Sequence, residues 1–215
     1  MKPRTFVRYI LKAFELWRIL ADSYGWRRSF ANGKPIDGEG NPIPWYTYPA
    51  IEFLRTLDLT GLRIFEFGCG NSSRYWAQHA AEVHAVENDR AWATIVRNFG
   101  VENLHLHEAN DEAEYVTTLD RVAGVFHVVI IDGRHRRSCV TAACRAVSDD
   151  GFIVFDNADW YPDACADLRA LGWQQIDFSG PGPINPYCWT TAVFVRPTTR
   201  FKRRDVVHPI GGIRV

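Results

Sequence analysis

Six side chains with oxygen or imidazole chemistry stand at or just beyond the ends of short apolar runs: Glu66, Glu87, Asp132, His135, Asp156 and Asn157. Carboxylates and a side-chain amide in such places can accept hydrogen bonds from a polar ligand or hold a hard divalent cation. An imidazole can take up a proton near neutral pH. Between the first two lies Gly68-Cys69-Gly70, followed by Asn71-Ser72-Ser73. Glycine has no Cβ, so a ligand can approach the backbone, and the free N–H groups of a helix start suit anionic or polar groups. Glycines at this spacing, with an acid about 20 positions further on, fit a nucleotide-type cofactor.

Positioning these residues requires strands that stop where the acids begin. Apolar runs at Arg63–Phe67, Glu82–Val86, Asn103–His107, Val125–Ile131 and Phe152–Phe155 alternate with helical segments at Arg74–Ala81, Arg90–Phe99, Ala113–Val122 and Arg137–Val147. Such alternation predicts a parallel sheet with helices on both faces. A further helix over Ala164–Leu171 leads to strands at Gln174–Phe178 and Thr190–Val195, joined by a Gly/Pro-rich loop from Ser179 to Trp189. The expected fold class is α/β: a Rossmann-like, doubly wound, mostly parallel seven-stranded sheet with a C-terminal antiparallel hairpin and an N-terminal helical extension. In these sheets ligands bind beyond the carboxyl ends of the strands.

Upstream, Phe6, Ile10, Phe14, Trp17 and Leu20 recur at helical spacing among basic residues. The period predicts a helix that docks on the domain, with an interfacial membrane helix as the alternative. Turn chemistry (Asn32-Gly33, Asp37-Gly38, Gly40-Asn41-Pro42) makes Arg27–Pro44 loop-like, with room for a small hairpin. A helix is expected over Ala50–Leu57. The aromatics of Pro44–Pro49 either line a pocket or pack that helix.

Twenty-five basic residues balance twenty-five acidic ones, so no global field favours nucleic acid or an anionic surface. Basic residues gather at the ends, at Lys2, Arg4, Arg8, Lys12 and Arg18 and again at Arg200, Lys202, Arg203 and Arg204. Five cysteines without a C-x-x-C pair fit reduced thiols better than a disulfide frame or a zinc site. No apolar run approaches the ~20 residues of a membrane span. The expectation is a cytoplasmic protein acting on a small-molecule partner, with no stable membrane insertion, no nucleic-acid partner, and room for a homodimer.

E-F-G-C-G at Glu66–Gly70 resembles the E/D-x-G-x-G signature of class I S-adenosylmethionine (SAM) dependent methyltransferases. The resemblance continues through V-H-A-V-E ending in Glu87, V-V-I-I-D-G ending in Asp132-Gly133, and G-F-I-V-F-D-N ending in Asp156-Asn157. It covers roughly Ala50 to Val195. It implies an N-terminal extension and lid over residues 1–49, a SAM-binding domain over 50–196 and a tail over 197–215. It further implies that Glu66 meets the amino group of the methionine part and that Gly68, Gly70, Asn71 and Ser72 cradle the cofactor. Glu87 would accept from both ribose hydroxyls, Asn110 or Asp111 would lie near the adenine, and Asp132 would border the cofactor.

Asp132, Asp156 and Asn157 also resemble the metal ligands of catechol and caffeoyl-coenzyme A type O-methyltransferases, which implies Mg²⁺ as a second cofactor. The lysine base of those enzymes falls at His135. Bacterial sugar and antibiotic-tailoring O-methyltransferases carry a similar Asp-Gly-x-His segment. The resemblance therefore implies methyl transfer to a small-molecule hydroxyl, with His135 and Asp132 as the catalytic residues.

Simpler readings stand beside these. Asp156 or Asn157 could cap the helix before Trp160, and Asp132 could bind the turn at Gly133. His135 could be a surface residue among Arg134, Arg136 and Arg137, or part of an anion-binding patch. His79, His84, His105, His107 and His127 read as structural, and Cys69 as a small filler. A NAD(P)-dependent oxidoreductase shares the glycine turn, though Ser73 and the closing hairpin speak against it. A non-catalytic SAM-binding module is the remaining alternative.

Overall fold

The computed structural model describes residues 3–213, so Lys2 of the N-terminal basic cluster lies outside it. Arg63–Phe67 forms β1, and its parallel neighbours are β2 (Glu82–Glu87) on one side and β4 (Phe126–Ile131) on the other. β3 (Leu104–Glu108) extends the sheet beyond β2, and β5 (Val147–Phe155) beyond β4. The sheet closes with β7 (Cys188–Val195), antiparallel to β5, and β6 (Gln174–Pro181) at the edge, giving the order β3-β2-β1-β4-β5-β7-β6. Strand order reverses between β1 and β4, which opens a crevice over their carboxyl ends. The antiparallel closing pair departs from the parallel sixth strand usual in dinucleotide folds.

The central strands are apolar on both faces because both are covered. On one side Phe65, Phe67, Val129 and Phe155 pack under α6 (Glu112–Arg121), α7 (Arg136–Ala146) and α8 (Pro162–Ala170). On the other, Ile64, Val128, Ile130 and Val154 pack against α3 (Tyr48–Arg55) and α4 (Asn71–His79), with Trp76 fully buried between them. α5 (Arg90–Arg97) follows β2, with Asp89 accepting from the amides of Ala91 and Trp92 as its cap.

The extension departs from expectation in two places. α1 (Pro3–Arg18) is helical, yet it does not dock: Phe6, Phe14 and Trp17 remain 51%, 58% and 49% exposed. A helical period establishes an apolar face but cannot supply a partner for it. The helix meets the rest of the chain through a π-helical turn, Ile19–Ser23, and through Trp17 set edge-on to Trp26 at 5.8 Å. A second helix, α2 (Trp26–Asn32), occupies part of the stretch that reads as loop; it is short and bounded by left-handed glycines at 25 and 33. The small hairpin is reduced to one bridge, Ile36 to Pro42, around a turn held by Asp37. Among the described residues no helix is long and apolar enough to cross a membrane.

Candidate active site

Glu66 sits wholly buried one residue before the end of β1. Its Oε2 accepts a 2.5 Å hydrogen bond from Ser73 Oγ, which in turn accepts from the amide of Gly70. Oε1 is buried without a partner. Burial pushes this carboxyl up to about 7, against the hydrogen bonds of Ser72 and Ser73. An unmatched acceptor in so dry a place calls for a donor from outside the chain.

The two glycines of the turn do different work. A Cβ on Gly68 would come within 3.0 Å of Gly133 Cα, and its φ is +104°, so it must be glycine to let the ends of β1 and β4 touch. At Gly70 a Cβ would meet only the Trp92 ring, at an ordinary 3.6 Å, which leaves this backbone open to a ligand. Asn71 turns its Nδ2 to the carbonyl of Pro35, fastening the 35–43 segment over the start of α4.

Glu87 ends β2 with Oε1 already accepting from the amides of Asn88 and Asp89. Only Oε2, 3.5 Å from Cys69 Sγ, is left for a ligand, so one oxygen rather than two can serve a ribose. Asn110 and Asp111 are committed elsewhere. Asn110 bonds Glu114 and Arg90, and Asp111 caps α6 through the amide of Glu114. Tyr115 is placed better: its hydroxyl is buried, unpartnered and packed against Gly133.

Beyond β4 and β5 the arrangement differs from a metal site. The guanidinium of Arg136, 11% exposed, lies between the two strand ends. It donates to Asp132 Oδ1 and to the carbonyls of Asp132, Gly133 and Asp156, and it stands 3.9 Å from Asp156 Oδ2. Asp156 Oδ1 accepts from Trp189 Nε1 at 3.0 Å and from Thr191 Oγ1 at 2.6 Å. Thr191 Oγ1 accepts in turn from the amide of Thr47, so Asp156 ties β5 to the closing hairpin and to the segment before α3. Asn157 adopts the left-handed conformation, φ +55°, and turns the chain. A cation already occupies the space between the carboxylates, and Asp156 has spent an oxygen on two donors. This donor set does not fit a hard divalent cation such as Mg²⁺. Nor does Asp156 cap a helix; α8 starts from Tyr161 without a side-chain cap.

Burial raises both acids, Asp156 to about 6, and their mutual repulsion raises Asp132 further while Arg136 opposes the rise. Asp132 keeps 19% of its side chain open to water, which tempers the effect. His135 adopts the left-handed conformation before α7 and places Nδ1 3.1 Å from Glu112 Oε2, with its ring against Tyr115. Nδ1 is thereby occupied, and among the described residues Nε2 has no hydrogen-bond partner.

The cover is built from distant segments. Tyr46 is completely buried, its hydroxyl lacks a partner, and the charges of Glu66, Asp132 and Asp156 all act on it. Gly182 presses on the Tyr46 carbonyl and the Trp189 ring, and Trp26 Nε1 donates to the carbonyl of Asn185. Trp160 and Tyr187, 6.2 Å apart and 54% and 46% exposed, form an aromatic pair beside Trp189, whose Nε1 donates to Asp156. A separate cavity of about 750 Å³ opens between α3, α4 and the tail, lined by Tyr24, Tyr75, His79 and Arg204; it lies away from the strand ends. Tyr46 belongs to the aromatic stretch Pro44–Pro49 whose two readings the sequence left open, whereas Arg136 and Tyr115 carry no such signal in their sequence context. Arg136 sits in the run R-H-R-R, which reads as a solvated face.

Residues 65–158 match a protein family described as a methyltransferase domain. No curated protein matches the chain. Among solved structures, a precorrin-6y C5,15-methyltransferase from Geobacter metallireducens is similar at 18% identity and a TM-score of 0.55, over 64% of this chain and 81% of that one. A methyltransferase-like protein from Pseudomonas syringae is similar at 16% identity and a TM-score of 0.51, over 69% and 96%.

Proposed function

We propose that this chain, whose residues 65–158 match a methyltransferase-domain family, is a class I, SAM-dependent methyltransferase that transfers the SAM methyl group to a hydroxyl of a small molecule, with His135 as general base. The observation that carries the cofactor assignment is the buried, unpartnered Oε1 of Glu66 behind the glycine turn. An ammonium is the donor that such an oxygen lacks. Glu87 Oε2 would accept from the ribose, and the open backbone at Gly70 would lie along the cofactor.

SAM supplies an electrophilic methyl on a sulfonium. His135 would take the hydroxyl proton at Nε2, while Glu112 holds Nδ1 and stabilises the imidazolium. Asp132 would border the reacting centre as a hydrogen-bond acceptor, fixed by Arg136. Tyr46 and the 182–189 segment would keep water out. The exposed faces of Trp160 and Tyr187 suit a flat acceptor, an aromatic ring or a sugar.

Calorimetry is expected to detect SAM binding that Glu87→Ala weakens at least tenfold; no binding by the wild-type protein would overturn the assignment. Against a panel of hydroxylated aromatics and sugars, His135→Ala is expected to lower kcat by ~10²–10⁴ with SAM affinity unchanged. Unaltered turnover would remove His135 from the chemistry.

A further inference from the structure

Away from the cleft, at the start of β2, Glu82 and His84 stand beside His105 and His107 of β3. Strand geometry puts Glu82 roughly 16 Å from Glu87, five residues along the same strand, so this cluster is distinct from the active site. His84 pairs with His105 across the two strands, and the imidazoles share one face of the sheet.

Four contacts define the cluster. Glu82 Oε2 is held at 2.5 Å by Arg63 Nε, which leaves Oε1 pointing at the imidazoles. Oε1 lies 3.1 Å from His84 Nε2 and 3.4 Å from His105 Nε2. On its other side, His84 Nδ1 is 3.1 Å from His107 Nε2.

His84 is 8% exposed, and its Nε2 has no hydrogen-bond partner although Glu82 Oε1 is close. The carboxylate oxygen lies off the line along which that nitrogen would donate. Ligands 2.0–2.2 Å from a tetrahedral zinc ion stand roughly 3.3–3.5 Å from one another, each directed at the metal rather than at its neighbour. The spacings here are of that size, and all three donor atoms fall within 4.8 Å of one another. When His84 Nδ1 donates to His107 Nε2, its Nε2 presents a lone pair to the cluster, the tautomer a metal requires.

We propose that Glu82 Oε1, His84 Nε2 and His105 Nε2 form a binding site for a borderline divalent cation, Zn²⁺ by preference. His107 orients His84 from the second layer, and water completes the coordination on the exposed side of His105. Two imidazoles and one carboxylate select zinc over the harder magnesium or calcium. Such an ion would pin β3, an edge strand with half-exposed residues, to β2.

Titration of the full-length, chelator-treated protein with Co²⁺ is the test. One equivalent is expected to bind with the visible bands of a tetrahedral nitrogen–oxygen site, and Zn²⁺ is expected to displace it. His105→Ala removes an exposed ligand without disturbing the core and is expected to weaken binding at least tenfold. His107→Ala should weaken it less, within the 10–100-fold range of outer-shell changes. No stoichiometric cobalt binding by the wild type would overturn the proposal. So would binding that His105→Ala leaves unchanged, or bands showing sulfur ligation by the free cysteines.

Discussion

At the scale of single residues, Glu66 carries a buried carboxyl whose proton is linked to folding. Its carboxyl is raised from 4.5 to about 7 by burial, so the folded chain holds this proton more tightly than the unfolded chain does. The stabilisation is complete below the ordinary carboxylate range and is lost as pH climbs through about 7, a swing on the order of 3 kcal/mol. Glu66→Gln is therefore expected to be more stable than the wild type at pH 8 in thermal melts, with the difference shrinking towards pH 5. The same variant should bind SAM at least tenfold more weakly. A variant no more stable at pH 8 would show that the ionised carboxylate is well accommodated in the empty site. Glu66 and Glu87 were legible in the sequence as acids at strand ends, Glu66 one residue before β1 gives way to the glycine turn and Glu87 closing β2. Arg136 and the anchoring role of Asp156 were not. Their partners lie on other strands: Trp189 and Thr191 follow Asp156 by 33 and 35 residues.

At the scale of elements, the legible parts were those whose environment is uniform along their length. β1, β4 and β5 read as continuous apolar runs because helices cover both faces. The loop between β6 and β7 proved shorter than its Gly/Pro content suggested, since the strands extend to Pro181 and from Cys188. α2 was too short to show a period. α1 shows its period clearly, but its apolar face stays exposed, with Trp17 against Trp26 at the junction. Removing residues 1–12 is accordingly expected to shift Tm by less than about 2 °C, the range of changes that leave the packed core alone. A shift several times larger, read by calorimetric melting, would mean that α1 is covered in solution.

Across the whole molecule, the sheet separates two roles by strand end. The carboxyl ends carry the cleft, and the proposed cation site lies near the amino end of β2. At the centre, where strand order reverses, Gly68 and Gly133 touch backbone to backbone. The first belongs to the turn that would hold the methyl donor, and the second leads within two residues to His135, the proposed base. With no side chain between them to absorb a displacement, any tightening of the first loop must be felt by the second. Cofactor binding is thus expected to slow hydrogen exchange at the amides of residues 133–136, across the crevice from the glycine turn. Unchanged exchange there would separate the two halves. The kinetic corollary of that seam is sequence in time: initial-rate kinetics are expected to show ordered addition, the donor before the acceptor, and random addition would show that the close contact of Gly68 and Gly133 carries no such coupling.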